Sequence, residues 1–278
     1  MGRWLVPHLR GLGDHVVAPT KAVADIHHES SLHDIVASAA PDTVINLAAI
    51  SSVTQGSVEA YYETNLLGHL RLLQAVSEVA PTARIYLAST ANLYGQSDGR
   101  GFSETDAPAP RNHYAMSKRA AEQLHALYPD LGSTCAVRPF NCIGRGQSTV
   151  FVVPKLVEAY RQRVAELKLG TLDVARDFVD IRDVCAMWQA LLAAPTPPPV
   201  VNFGNGEATS LSEIVATLEQ LSGHKIRLAH SDRLVRPSDI AYQRANAEII
   251  VGLGYRRRHS LVETLAWMLN DGAAIDDA

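Results

Sequence analysis

The stretch ARIYLAST, residues 83–90, decides the fold: five apolar or β-branched positions run together and end in two hydroxyls, Ser89 and Thr90, before the turn ANLYG at 91–95. A short apolar run bounded by a turn reads as a strand buried on both faces. Working outward, the same unit recurs. LHDIVASAA (32–40) has helical spacing and precedes TVINLAA (43–49), Glu63 to Val79 is helical and precedes ARIYLAST, and Tyr114 to Tyr128 is helical and precedes TCAVRPF (134–140). Near the N-terminus, Trp4, Leu5, His8, Leu9 and Leu12 recur at helical spacing, and the following run DHVVAPT (14–20) reads as a further strand. Helices alternating with buried strands at this interval imply βαβ crossovers, hence an α/β fold with a doubly wound parallel sheet. After residue 143 the order becomes α+β in character, with helices near 152–166, 182–194, 211–222 and 260–270 and a stiff turn, PTPPP, at 195–199.

Composition agrees with a globular chain. The 278 residues are 47% hydrophobic and 19% charged with a formal net charge of -4, which excludes disordered, collagenous and coiled-coil classes and argues against nucleic-acid binding. No apolar run reaches the 18 or so residues of a membrane-spanning helix and the start has no signal-peptide core, so the chain reads as cytoplasmic. Cys135, Cys142 and Cys185 are too few and too scattered for a disulfide framework, and no spacing of Cys or His suggests a metal.

Tyr114 and Lys118, in HYAMSK, stand at i and i+4 and share one helix face. A phenol with a reference pKa near 10 becomes a usable acid or base at neutral pH when a nearby ammonium favours its phenolate, so Lys118 is expected to draw Tyr114 down. YxxxK alone recurs by chance on solvated helices. Its placement after a strand ending in Thr90, where parallel sheets bind ligands, gives a hydroxyl, a phenol and an ammonium around a carbonyl, the arrangement for hydride transfer to or from a nicotinamide.

With these motifs in order (PDTVINLAA, ETNLLGHLRLLQAV, YLASTANLYG, YxxxK, VRPFNCIGRGQ, RDFVDIRDV, NFGNGEATSLSEI and RPSDI) the chain resembles the extended short-chain dehydrogenase/reductases, the nucleotide-sugar epimerases, dehydratases and reductases. Within them it looks most similar to the GDP-mannose 4,6-dehydratase and GDP-4-dehydro-6-deoxy-D-mannose reductase group. LKLGTLDVARDF resembles that group's LGNLDAxRDF, and RPFNCIGRGQ its RPFNHIGPGQ, with Cys142 and Arg145 in place of His and Pro. The resemblance implies a Rossmann-type dinucleotide-binding domain at 1–143, with 177–208 returning to it, and a smaller α+β nucleotide-sugar domain at 144–176 and 209–278.

It also implies roles. Thr90, Tyr114 and Lys118 would be catalytic. The cofactor would be held by Gly2, Asp25, Ile26, Leu47, Ala48, Ala49 and Asn65 together with Tyr114 and Lys118, and the substrate by Ser51, Ser52, Thr90, Asn141, Arg176, Arg236 and Asp239. Dehydratases carry two carboxylates directly after the threonine; Ala91 and Asn92 stand there, and neither exchanges a proton, which favours reduction of a nucleotide 4-keto-6-deoxy sugar over dehydration. A 4-epimerase needs the same minimal set, and a non-catalytic nucleotide-sugar-binding homologue is the third reading. Thr20 and Lys21, where an acid would hold the ribose 2′-hydroxyl of NAD, favour NADP over NAD. A homodimer through helices 63–79 and 114–128 is expected, with Leu66, Leu70, Leu73, Ala120, Leu124 and Leu127 as its apolar face. Met1-Gly2-Arg3 resembles the tail of the family's GxxGxxG turn with Gly2 as the third glycine, so the first strand and two glycines are expected to be missing.

Overall fold

The computed structural model describes residues 1–51, 56–97, 99–234 and 240–270. Helix α1 (Gly2–Gly11) and α2 (Glu29–Ala39) lead into strand β1 (Thr43–Asn46). A helical rod follows in three parts: α3 (Val58–Tyr61), a π-helical stretch at Tyr62–Leu67, and α4 (Gly68–Val79). Then come β2 (Arg84–Ala88), α5 (His113–Leu124), β3 (Ser133–Pro139) and β4 (Asn141–Ile143). The second half contains α6 (Val152–Arg161), β5 (Glu166–Leu169), β6 (Ala175–Arg176), β7 (Phe178–Asp180), α7 (Ile181–Leu192) and β8 (Val200–Phe203). It closes with β9 (Thr209–Ser210), α8 (Leu211–Ser222), β10 (Arg227–His230), β11 (Tyr242–Gln243), α9 (Glu248–Gly252) and α10 (Leu261–Leu269).

The main sheet is parallel, in the order β1-β2-β3-β8, with Tyr86 of β2 paired to Ile45 of β1 and Cys135 of β3. Its two faces follow from strand alternation: Tyr86 points into a core with Cys135, Val137, Trp188 and Phe203 that is capped by α1 and α7, whereas Ile85 points to Leu32, Leu73 and Val76 under α2 and α4. Helices therefore cover both faces, as in a doubly wound sheet. A separate core gathers Leu156, Tyr160, Ile214, Leu218 and Leu265 from α6, α8 and α10. Ile250 and Tyr255, although late in sequence, pack on the main sheet rather than on that second core. Trp4 of α1 meets Trp267 of α10 edge to face at 5.2 Å, and Arg145 stacks on Trp267 at 4.8 Å, joining the two cores.

Two expectations need correction. Residues 14–20 are not a strand: they run as coil, with Val16 resting on the core and its carbonyl bonded by Arg10. An extended run becomes a strand only beside a hydrogen-bonding neighbour; β1 is paired to β2 and 14–20 has no paired strand. Leu73 is fully buried in the core under α4, so it faces the sheet and not a partner subunit; Leu127 is 71% exposed.

Candidate active site

The end of β2 and the start of α5 make the centre of the site. Thr90 caps a short 3₁₀ turn at Ala91–Tyr94, accepting the Asn92 amide at 3.2 Å, and Asn112 caps α5 by accepting the Ala115 amide at 2.8 Å. Both caps fix where their helices begin, and Thr90 and Tyr114 meet: the Thr90 hydroxyl hydrogen-bonds the phenol oxygen of Tyr114. Lys118, one turn on, donates to the Ala88 carbonyl at 2.6 Å. All three are buried, at 5%, 6% and 1% exposure respectively.

Their ionisation differs from the expectation. Burial pushes the Tyr114 phenol up, the Thr90 bond only partly offsets it, and Lys118 is not among the groups that move it, because its ammonium is turned to Ala88. The resting Tyr114 is therefore a neutral phenol, a proton donor. Burial pulls Lys118 down to about 8, with the Glu122 carboxylate opposing the shift.

Asn65, expected at the cofactor, has its amide engaged elsewhere. Its Oδ1 accepts the Ile50 amide at 3.0 Å, and its Nδ2 donates to the Ile50 carbonyl at 3.3 Å and to Ser117 Oγ at 3.1 Å. It is a positioning residue that ties the loop after β1 to α5. The π-helical stretch carries it, and π turns recur at functional sites. Asn46, at the end of β1, holds that loop from the other side by accepting the Ala48 amide at 3.0 Å, and its Nδ2 bonds the fully buried His69, whose Nε2 lies 3.0 Å from His125.

A dinucleotide fits this surround. The N-terminus of α1 has no side-chain cap, and a Cβ on Gly2 would lie 3.6 Å from Leu47, so helix amides that favour phosphate sit beside the Leu47–Ala49 loop. Asp25 and Ile26 lie against the start of α4, where a Cβ on Gly68 would come within 2.5 Å of Ile26; only glycine admits that approach. The Asp25 carboxyl is held below its usual range chiefly by the His27 amide, and Lys21 pairs with it at 3.7 Å. The Lys118 ammonium has three donors and the bond to Ala88 uses one.

On the substrate side, Asn141 lies on β4 next to Cys142, whose thiol is close enough to raise Tyr114 further, so β4 borders the catalytic phenol. Arg176 lies on β6 and donates to the Ala175 and Ala241 carbonyls, beside the buried Asp177. Asp177 takes the amides of Asn205, Gly206 and Ala245 and is pushed up to about 6 by burial. Ser51 is exposed at the end of the loop that Asn65 holds. Ser52, Arg236 and Asp239 lie outside the described residues.

The sequence reading missed Ser89, Glu122 and Arg138. Glu122 accepts from Ser89 Oγ at 2.5 Å and from both ends of the Arg138 fork, Nε at 3.1 Å and Nη2 at 2.8 Å. The signal available was the i, i+4, i+8 spacing of Tyr114, Lys118 and Glu122.

Comparison with known proteins places this geometry. The profile of the GDP-mannose 4,6 dehydratase family matches residues 14–266. The GDP-6-deoxy-D-talose 4-dehydrogenase of Aggregatibacter actinomycetemcomitans is 30% identical over 224 residues, which is 80% of this chain and 76% of that protein. The GDP-6-deoxy-D-mannose reductase of Pseudomonas aeruginosa is 28% identical over 83% of this chain and 80% of its own. The crystal structure of RMD from Pseudomonas aeruginosa complexed with NADPH superposes with a TM-score of 0.84 at 26% identity, covering 95% of this chain and 92% of that one.

Proposed function

We propose a function from the premise that this chain belongs to the GDP-mannose 4,6-dehydratase family, within the extended short-chain dehydrogenase/reductases: it is an NAD(P)-dependent enzyme of nucleotide-sugar modification that reduces a nucleotide 4-keto-6-deoxy sugar, GDP-4-dehydro-6-deoxy-D-mannose being the favoured substrate. The observation that carries the reading is the neutral, buried Tyr114 bonded by Thr90 with Ala91 and Asn92 immediately after it. Elimination of water needs a further acid and base at those positions, and a methyl and an amide supply neither.

The bound nicotinamide would supply hydride to C4. Thr90 directs its hydroxyl at the oxygen that gains charge, and Tyr114 releases its proton to that oxygen; a phenol raised by burial suits the direction in which it gives a proton up. Lys118 holds the ribose hydroxyls with the donors left after Ala88 and stabilises the phenolate left behind. Gly2, with Leu47, Ala48 and Ala49, borders the pyrophosphate, and Asp25 and Ile26 the adenine. Lys21 beside Asp25 supports NADP as the preferred form. Asn141 and Arg176, with Ser51, approach the sugar nucleotide, where a guanidinium fork suits diphosphate oxygens. A homodimer through α4 and α5 is part of the proposal, with Leu127 and Met116 exposed on it.

The test is to mix the protein with NADPH and GDP-4-dehydro-6-deoxy-D-mannose and follow nicotinamide absorbance and the configuration at C4. Stoichiometric oxidation of NADPH with one C4 epimer formed is expected. Scrambling at C4 without net NADPH consumption would mark a 4-epimerase, and cofactor binding with no turnover of any nucleotide 4-keto sugar would sink the catalytic reading.

A further inference from the structure

Three consecutive residues at the end of β2 bond three residues of α5 spaced one turn apart. The Ala88 carbonyl takes Lys118, the Ser89 hydroxyl takes Glu122, and the Thr90 hydroxyl takes Tyr114. Only Glu122 of the helix trio is fastened again from behind. Its two oxygens receive the Arg138 fork from β3, and Arg138 is in turn held by Tyr94 Oη at 2.8 Å and the Glu104 carbonyl at 3.2 Å, with Tyr94 bonded to Asn202 of β8 at 2.7 Å. Glu122 and Arg138 are 7% and 3% exposed. Buried ion pairs are poor stabilisers compared with well-packed apolar side chains, but they are directional. Sliding α5 by one residue, about 1.5 Å along its axis, would break all three strand-to-helix bonds at once.

We propose that Glu122 is a positioning residue for the reaction: clamped by Arg138 and bonded to Ser89, it fixes the register of α5 on the end of β2, so that Thr90 meets Tyr114 and Lys118 faces the nicotinamide ribose. This rests on the reading of Thr90, Tyr114 and Lys118 as the reacting groups. Around Lys118 the titratable and charged groups are Tyr114 and Glu122 on its own helix, His69 on α4, and Arg138 on β3 behind Glu122, while Cys142 on β4 faces Tyr114. Of these, Glu122 is the group that favours the ammonium, so its charge and its position act on the same lysine.

The chain has five lysines, Lys21, Lys118, Lys155, Lys168 and Lys225, so ¹³C-lysine NMR resolves Lys118, assigned by the signal lost in Lys118→Met. Wild type, Glu122→Gln, Glu122→Gln/Arg138→Met and Ser89→Ala are titrated without ligand, then tested for NADPH affinity and for kcat and KM. The double variant removes both buried charges and serves if Glu122→Gln fails to fold. Loss of the Glu122 charge should move the Lys118 midpoint down by about one pH unit and weaken NADPH at pH 8 roughly fivefold. Ser89→Ala keeps the ion pair and should lower kcat about tenfold with the sugar KM unchanged. A folded charge variant whose Lys118 midpoint and NADPH affinity match wild type would overturn the proposal, and so would Ser89→Ala with wild-type kcat. If the wild type turned over no nucleotide sugar, the proposed function would fall while the lysine titration still decided the role of Glu122.

Discussion

The corner where Thr90, Tyr114 and Lys118 meet is sealed, whereas Ser51 is exposed and Asp25, Asn141 and Arg176 are half-buried on the rim. In the corner, side chains bond strand ends and one another in a network that continues through Glu122 and Arg138 to β8. On the rim, the functional side chains lean on backbone carbonyls and loops, as Arg176 does on Ala175 and Ala241. A fixed chemical step needs preorganised geometry in a dry site, while recognition of a large polar substrate needs surface that water leaves on binding. The two regions should therefore respond to substitution in different kinetic terms.

The largest effect expected is in the corner. Tyr114→Phe keeps the ring and removes the proton, and should lower kcat by roughly 10² to 10⁴ with KM little changed, as steady-state kinetics would show; a loss confined to KM would erase the distinction between corner and rim. Smaller, and of opposite kinetic character, is Arg176→Ala. Loss of one charge-assisted hydrogen bond to a diphosphate, about 1.5–3 kcal/mol, should raise the nucleotide-sugar KM on the order of tenfold to a hundredfold and leave kcat near wild type. The smallest effect concerns the floor of the corner. Burial pulls His125 down to about 4 and His69 well below its ordinary value. The unfolded chain therefore binds protons first, and stability that is complete above the unfolded value near 6.5 is lost as pH falls toward 4. His125→Gln, which can still accept from His69, should flatten the fall of Tm with pH across that window in thermal melts. An unchanged slope would remove the pair from the acid response.

Much of the corner could be read from the chain. YxxxK announces its own helix face, and the helix expected at 211–222 is α8 to the residue because a capping box at Ser210 and Glu213 and the left-handed Gly223 mark its two ends locally. What stayed hidden depends on partners distant in sequence. Glu122 in RAAEQL looks like a solvated helix glutamate until β3 brings Arg138 beneath it, and DHVVAPT has strand composition but lacks the paired neighbour that would make it one. Asn65 was legible as a functional position, yet not as one acting through Ile50 and Ser117, because that depends on the helix carrying it being π-wound there. The Lys118 effect on Tyr114 failed for a similar reason: spacing places the two on one face, but only the fold reveals that the Ala88 carbonyl claims the ammonium.

That π-wound stretch also acts as a ruler. A π turn holds one residue more than the α turn it replaces, so within Tyr62–Leu67 the rod can lose a residue and still close its hydrogen bonds. Everything after the loss would then rotate by about 100° relative to what precedes it. Gly68 would swing off Ile26, Leu73 would leave the core it shares with Ile85, and His69 would turn from Asn46. A one-residue deletion here should thus yield a well-formed helix whose faces are misassigned. The count of residues between Tyr61 and Gly68 constrains the site as firmly as their identity does.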